Sequence, residues 1–199
     1  MIDPTRRSVL ISLSCMAVGL SPAHAAPTRY SLVAKDSNVG FRFFLSGAPI
    51  KGSMPVQAAQ ITIDPSNLGA SQVDVTLNVA KARTSLFFAT DALISAEVLD
   101  AKQFPTIRFV SQSITLAGDG RLSGGASVHG LLTLRGMTRP ITLNANVLRA
   151  PGSAADDLSN LTVRLDGSVS RSAFGATGFP DLVTDIVELD ILAVIAASS

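Results

Sequence analysis

The chain has 199 residues, a net charge of +1 and interspersed basic and acidic side chains, a pattern that argues against a phosphate-backbone partner and leaves room for one domain. Apolar residues make up 47% of it and charged ones 16%, and with no Trp and one Tyr it lacks the stacking platforms of a single-strand binder.

The N-terminus reads as a targeting segment rather than as part of the fold. Arg6 and Arg7 form a basic start, Val9 to Leu20 is mostly apolar, and Ala23-His24-Ala25 has the small-X-small form of a cleavage site. The apolar run falls short of the roughly 20 residues of a membrane span, so no stable membrane insertion is expected. Thr5-Arg6-Arg7-Ser8-Val9-Leu10 resembles a twin-arginine export signal, although an ordinary secretory signal carries such an Arg pair equally well. Either route predicts a leader over residues 1–25, a mature domain over 26–199, and a periplasmic or secreted location. Cys15 is the one cysteine and lies inside the leader. As a lipoprotein acylation site it comes early in the apolar run and precedes a better cleavage site. The mature chain then has no thiol for a disulfide or a thiolate metal site.

Past the leader, Tyr30 to Lys35 leads into a strand from Val39 to Ser46, on which Val39, Phe41, Phe43 and Leu45 share a face. Gly47, Ala48 and Pro49 mark a turn, Ile50 to Ile63 reads as one long second strand, and Asp64-Pro65-Ser66-Asn67 stops it. Ser71 to Ala80 alternates most cleanly, with Val73, Val75, Leu77 and Val79 on one face. Between Thr84 and Gln103 the period lengthens, with Leu86, Phe87, Leu93, Ile94 and Val98 at roughly helical spacing and Thr84 or Ser85 as a cap. One or two short helices are predicted there.

Alternation returns at Thr106 to Leu116, and Gly118-Asp119-Gly120 makes the next turn. Leu122 to Leu148 then forms a hairpin. Leu132 and Leu134 share a face on its first arm, and Ile141, Leu143, Ala145 and Val147 share one on the second. Gly136 supplies positive φ at the turn, and Pro140 is expected at the first residue of the returning strand, where no ladder N–H is needed. A polar loop from Ala150 to Asn160 leads to a seventh strand at Leu161 to Val169 and, after a loop at Arg171 to Pro180, to an eighth around Val187, Leu189 and Ile191. In that loop Phe174, Gly175 and Phe179 are placed to fold back as a plug. About eight strands at short intervals with one helical excursion predict an all-β, up-and-down antiparallel barrel, with a two-sheet sandwich as the runner-up.

Four blocks of the sequence resemble the YceI-like family of polyisoprenoid-binding proteins. The fullest is Gly130-Leu131-Leu132-Thr133-Leu134-Arg135-Gly136-Met137-Thr138-Arg139-Pro140-Ile141-Thr142-Leu143. Ser37-Asn38-Val39-Gly40-Phe41-Arg42-Phe43 is similar to the family's opening strand. Asp91-Ala92-Leu93 with Leu99-Asp100 and Phe104-Pro105-Thr106-Ile107-Arg108-Phe109 is similar to its middle block, and Arg171-Ser172-Ala173-Phe174-Gly175 to its last loop. The blocks span about Tyr30 to Ile195. The resemblance implies a lipocalin-like eight-stranded antiparallel β-barrel that holds an isoprenoid or other lipid chain.

The residues offer little for catalysis. His129, the one histidine of the mature chain, sits mid-strand and reads as a solvent-facing or neighbour-bonded side chain. Gly125-Ala126-Ser127-Val128-His129 fails as a nucleophile elbow for want of the final Gly. Gly118, Gly120 and Gly124 miss the dinucleotide spacing by one position and lack its βαβ setting. Asp74, Asp91, Glu97, Asp100 and Asp185 are scattered, and one His without Cys leaves zinc or iron without its usual ligands. No catalytic residues, cofactor or metal are therefore expected.

The inward set is predicted to be Phe41, Phe43, Val75, Leu77, Ile107, Phe109, Leu132, Leu134, Ile141, Leu143, Val187 and Leu189. Alternation alone leaves open whether these side chains fill the barrel or line a hollow one, since both need the same pattern. The resemblance favours a hollow one, with Arg83, Asp91 and Arg171 as contacts at its mouth. Leu45 stands where the family usually has histidine and Thr90 where it usually has arginine, which implies a more apolar, more permissive pocket. The expected ligand is a polyisoprenoid, an isoprenoid quinone or a fatty-acid derivative, carried without chemistry. A ligand-free interaction or stress-response module is the alternative, a hydrolase of lipid-like substrates is more distant, and a homodimer is compatible with each.

Overall fold

The structure is a computed structural model that describes residues 27–64, 67–117, 124–150, 152–154 and 157–198. The leader, the Gly118-Asp119-Gly120 turn, and Pro65, Ser66, Leu122 and Pro151 lie outside the described residues. The elements among those described are β1 Thr28–Leu32, β2 Asn38–Leu45, β3 Ala48–Met54, β4 Val56–Ile63, β5 Gln72–Asn78, β6 Arg83–Thr84, α1 Phe87–Ile94, β7 Thr106–Leu116, β8 Ala126–Leu134, β9 Met137–Arg149, β10 Asn160–Ser170 and β11 Ile186–Ala197.

Antiparallel pairing runs β1-β4-β5-β7-β8-β9-β10-β11, and β11 pairs back onto β1, which closes an eight-stranded barrel and rules out the sandwich. Three of the eight positions hold two short strands end to end. β11 pairs with β2 through Glu188 to Leu192 and with β1 through Ile195 to Ala197, so β1 and β2 are one interrupted strand. A 3-10 turn at Ala34–Asp36 separates them. The long strand expected from Ile50 to Ile63 is likewise two, β3 and β4, parted at Pro55, which has no N–H to offer a ladder. β5 and β6 are parted by a 3-10 turn at Val79–Lys81, where the Asn78 side chain accepts the Lys81 N–H at 3.1 Å.

Two hairpins turn in two residues with positive φ at both: Ser46 and Gly47 between β2 and β3, and Arg135 and Gly136 between β8 and β9. These mirror-image turns match the right-handed twist of the strands they join. β9 starts at Met137 rather than at Pro140, which pairs with Leu131 of β8. The proline is accommodated because β9 meets β10 only from Asn144 to Arg149, leaving the Pro140 end without a ladder on that side.

Inside, two glycines make room for aromatic rings. A Cβ at Gly52 would stand 2.3 Å from the Phe41 ring, and one at Gly130 would stand 2.4 Å from the Phe109 ring. Phe41 and Phe43 stack at 6.4 Å between centroids.

One helix, α1, occupies the segment of helical period. Its N-cap is Leu86, not Thr84 or Ser85, and no side chain caps it. The Thr84 hydroxyl donates instead to the Leu86 carbonyl at 2.6 Å, and the Thr84 N–H donates to Thr90 Oγ1 at 2.9 Å. The β2–β3 turn, the α1 segment, the β8–β9 turn and the β10–β11 loop all gather at one end of the barrel. At the other end Tyr30, Ile61, Leu161 and Ile195 form a buried cluster, and the Tyr30 hydroxyl donates to the Leu158 carbonyl at 2.8 Å. Burial pushes the Tyr30 phenol pKa up.

Candidate functional site: an apolar cavity and its mouth

The barrel encloses a cavity of about 490 Å³. All twelve residues expected to face inward, from Phe41 to Leu189, line it. Alternation put them there: each strand sends every second side chain inward. The wall also takes Met54, Val128 and Val169, which keep the same period, and Phe88 of α1 and Leu182 of the β10–β11 loop, which do not. Leu68 and Leu158 also line the cavity, Leu158 at the end where Tyr30 packs.

Among the described residues the polar side chains in the wall are Ser37 and Arg171, and both are engaged with main chain. Ser37 Oγ donates to the Val33 carbonyl at 2.9 Å and accepts the Val194 N–H at 3.0 Å. Arg171 is buried at the root of the β10–β11 loop, and the loop wraps around it. Its Nε donates to the Thr184 carbonyl at 3.0 Å, Nη1 to Ala176 at 2.6 Å and Gly178 at 2.7 Å, and Nη2 to Val183 at 2.9 Å. Arg171 is thus the knot of this loop rather than an open contact for a head group. Arg83 and Asp91, the other two residues expected at the mouth, are exposed and outside the cavity wall, and the Arg83 guanidinium donates to the Ala82 carbonyl at 2.8 Å.

The mouth end is partly plugged. Phe174, 2% exposed, packs with Leu99, Val79 and Leu134, as its place in the loop suggested. Phe179 does not go in: it is 43% exposed and stands at the edge of the cavity. The Gly178 N–H donates to the Glu97 carbonyl at 2.9 Å, which ties the loop to the segment after α1. Arg135 holds the same segment from the other side, donating to the Ala96 and Val98 carbonyls at 2.9 and 2.7 Å with its guanidinium over the Phe104 ring. At the loop's far end the Asp185 carboxylate accepts the Ser172 N–H at 2.9 Å. The Ser170 and then the Ser172 hydroxyls hold the Asp185 pKa below the usual carboxylate range. The opening that remains lies between Phe88 on α1, Leu45 at the β2–β3 turn, and Phe179 with Leu182 on the loop.

Outside the barrel the chemistry is that of a surface. His129 is exposed and its Nδ1 lies 2.9 Å from Thr142 Oγ1, on the neighbouring strand. Asp74 accepts two hydrogen bonds from Arg108 at 2.9 and 2.5 Å, which hold its carboxyl below the ordinary range. Arg42 pairs with Glu188 across β2 and β11. Among the described residues no three His, Cys, Asp or Glu side chains are grouped to hold a metal, and no helix is long and apolar enough to cross a membrane.

These features define a class: a closed eight-stranded barrel with an apolar bore and a mouth narrowed by a helix and a loop. The YceI-like domain matches residues 30–195, and the chain belongs to that family. It is 30% identical over 143 residues to an UPF0312 protein of Vibrio cholerae, covering 68% of this chain and 74% of that one. It is also 30% identical over 138 residues to Protein YceI of Salmonella newport, covering 69% and 70%. Among solved structures, Burkholderia cenocepacia BcnA superposes with a TM-score of 0.70 at 22% identity, over 82% of this chain and 99% of that one. A polyisoprenoid binding domain from Saccharophagus degradans, implicated in plant cell wall breakdown, superposes with a TM-score of 0.61 at 14% identity, over 85% and 98%. At these identities the two structures speak to the fold.

Proposed function

We propose that this protein is a non-enzymatic carrier that holds a long, uncharged apolar chain inside the barrel: a polyisoprenoid, an isoprenoid quinone or a fatty-acid derivative. The observation that carries the reading is the cavity of about 490 Å³, whose two polar wall residues both spend their hydrogen bonds on main chain. Such a wall rewards hydrocarbon and penalises any buried polar group left without a partner. The likeness to a polyisoprenoid binding domain supports the same ligand class. Each buried CH2 contributes about 0.8 kcal/mol, so a chain of some twenty carbons gains on the order of 15 kcal/mol before ordering costs are subtracted. No charged anchor is needed for retention. With Leu45 at the mouth and Thr90 buried against Thr84, the pocket selects chain over head group.

The leader supports export and a periplasmic site of action, which cell fractionation of the full-length chain tests. Native mass spectrometry of the protein purified from its own compartment, followed by solvent extraction, tests the carrier reading. A discrete added mass that extracts as an isoprenoid or acyl chain is the expected result. A bare mass with no uptake of added lipid would overturn it.

A further inference from the structure

The mouth of this barrel carries apolar surface that the cavity alone does not require. Phe87 is 83% exposed, Phe88 63%, Leu182 51% and Phe179 43%. Phe88, Phe179 and Leu182 also line the cavity, so the bore opens outward through greasy lips rather than through polar ones. Large apolar side chains scattered singly are normal; a group around an opening marks an interaction site. The outer wall beneath α1 bears cations. Lys51 on β3 and Lys81 before β6 are exposed and have no ion-pair partner among the described residues. Lys51 is held beside the start of α1, because the Ser85 N–H donates to the Lys51 carbonyl at 2.8 Å. Asp91 and Asp181 are exposed on the rim as well, so its net charge is small and apolar insertion must do most of the anchoring.

We infer that this rim is a membrane-docking face: Phe87 and its apolar neighbours enter the acyl region of a bilayer while Lys51 and Lys81 meet anionic head groups. The inference rests on the carrier reading in one respect, that the cargo is a lipid. A lipid leaving the bore through this rim passes from apolar wall to acyl chains without crossing water. The arrangement, aromatic side chains at the tip and lysines beside them, is the one that interfacial segments use to sit at the head-group boundary.

The test is flotation of the mature protein with two vesicle preparations, pure phosphatidylcholine and phosphatidylcholine mixed with phosphatidylglycerol. Native mass spectrometry of the same samples reads cargo separately. Wild-type protein should float with both, and more strongly with the anionic vesicles. Phe87→Ser, which leaves the cavity wall untouched, should lower the partition coefficient about tenfold or more. Lys51→Glu with Lys81→Glu should remove the preference for anionic vesicles, each cation being worth about fivefold. Wild type that stays down with both vesicles while retaining its lipid overturns the docking and leaves the carrier reading standing. Wild type that floats but carries and takes up no lipid keeps the docking and removes the carrier. Phe87→Ser that floats like wild type also overturns the inference.

Discussion

Replacing Arg171 with Met tests whether one buried cation holds the mouth loop. The four hydrogen bonds from its guanidinium to the carbonyls of Ala176, Gly178, Val183 and Thr184 are each worth about 1.5–3 kcal/mol with a charged donor. Against this stands the cost of taking a guanidinium out of water, several kcal/mol, and the freed carbonyls near the mouth regain some hydration. A net loss of about 3 kcal/mol is expected, which for a domain of this size lowers Tm by about 6–12 °C. The loss should be local first. Amide exchange at Ala176, Gly178 and Val183 should accelerate before the β10–β11 ladder opens, and cargo should leave faster. Arg171→Lys offers one ammonium in place of a planar fork and should recover only part of the effect. An Arg171→Met protein with wild-type Tm and wild-type exchange in residues 171–185 would refute the argument. It would assign the loop's order to packing of Phe174 and Ala176, which are 2% and 1% exposed.

Phe41→Glu places a carboxylate in the apolar wall and should abolish lipid retention, read as loss of the added mass on native mass spectrometry; retained cargo would contradict the lining assigned to Phe41. Gly130→Val drives a side chain into the Phe109 ring and the Val110 carbonyl, 2.4 and 2.6 Å from the Cβ position. It should destabilise the barrel by at least about 1–3 kcal/mol in urea titration. The depressed Asp185 pKa adds stability that is present above the ordinary carboxylate range and lost as pH falls through the folded value. Asp185→Asn should therefore melt below wild type at about pH 7, and the gap should narrow as the pH approaches about 3 in thermal melts.

Much of the barrel is legible in the sequence because its signal is local. Period two marks the strands, and the twelve side chains it points inward line the cavity. Which strand closes the barrel is not legible, since β1 is five residues long and becomes a barrel strand only through partners at both ends of the chain. Breaks such as that at Pro55 depend on which flank of a strand must donate, and Pro140 shows that a proline without a neighbouring ladder passes unnoticed. The mouth is the least legible part. Arg171 is expected from the sequence as a contact at the mouth, and only the folded loop brings four carbonyls onto it. Arg83 and Asp91, expected beside it at the mouth, lie outside the cavity wall.

Tyr30, Ile61, Leu161 and Ile195 pack together at the end of the bore away from the mouth, which makes the mouth the way in for a carried chain. A chain with one head and one tail, carried as proposed, enters tail first and leaves by the way it came. Its head group is then the part left facing outward, so an acceptor meets the chemically distinctive end of every molecule delivered, and cargo too long for the tube protrudes at that end alone.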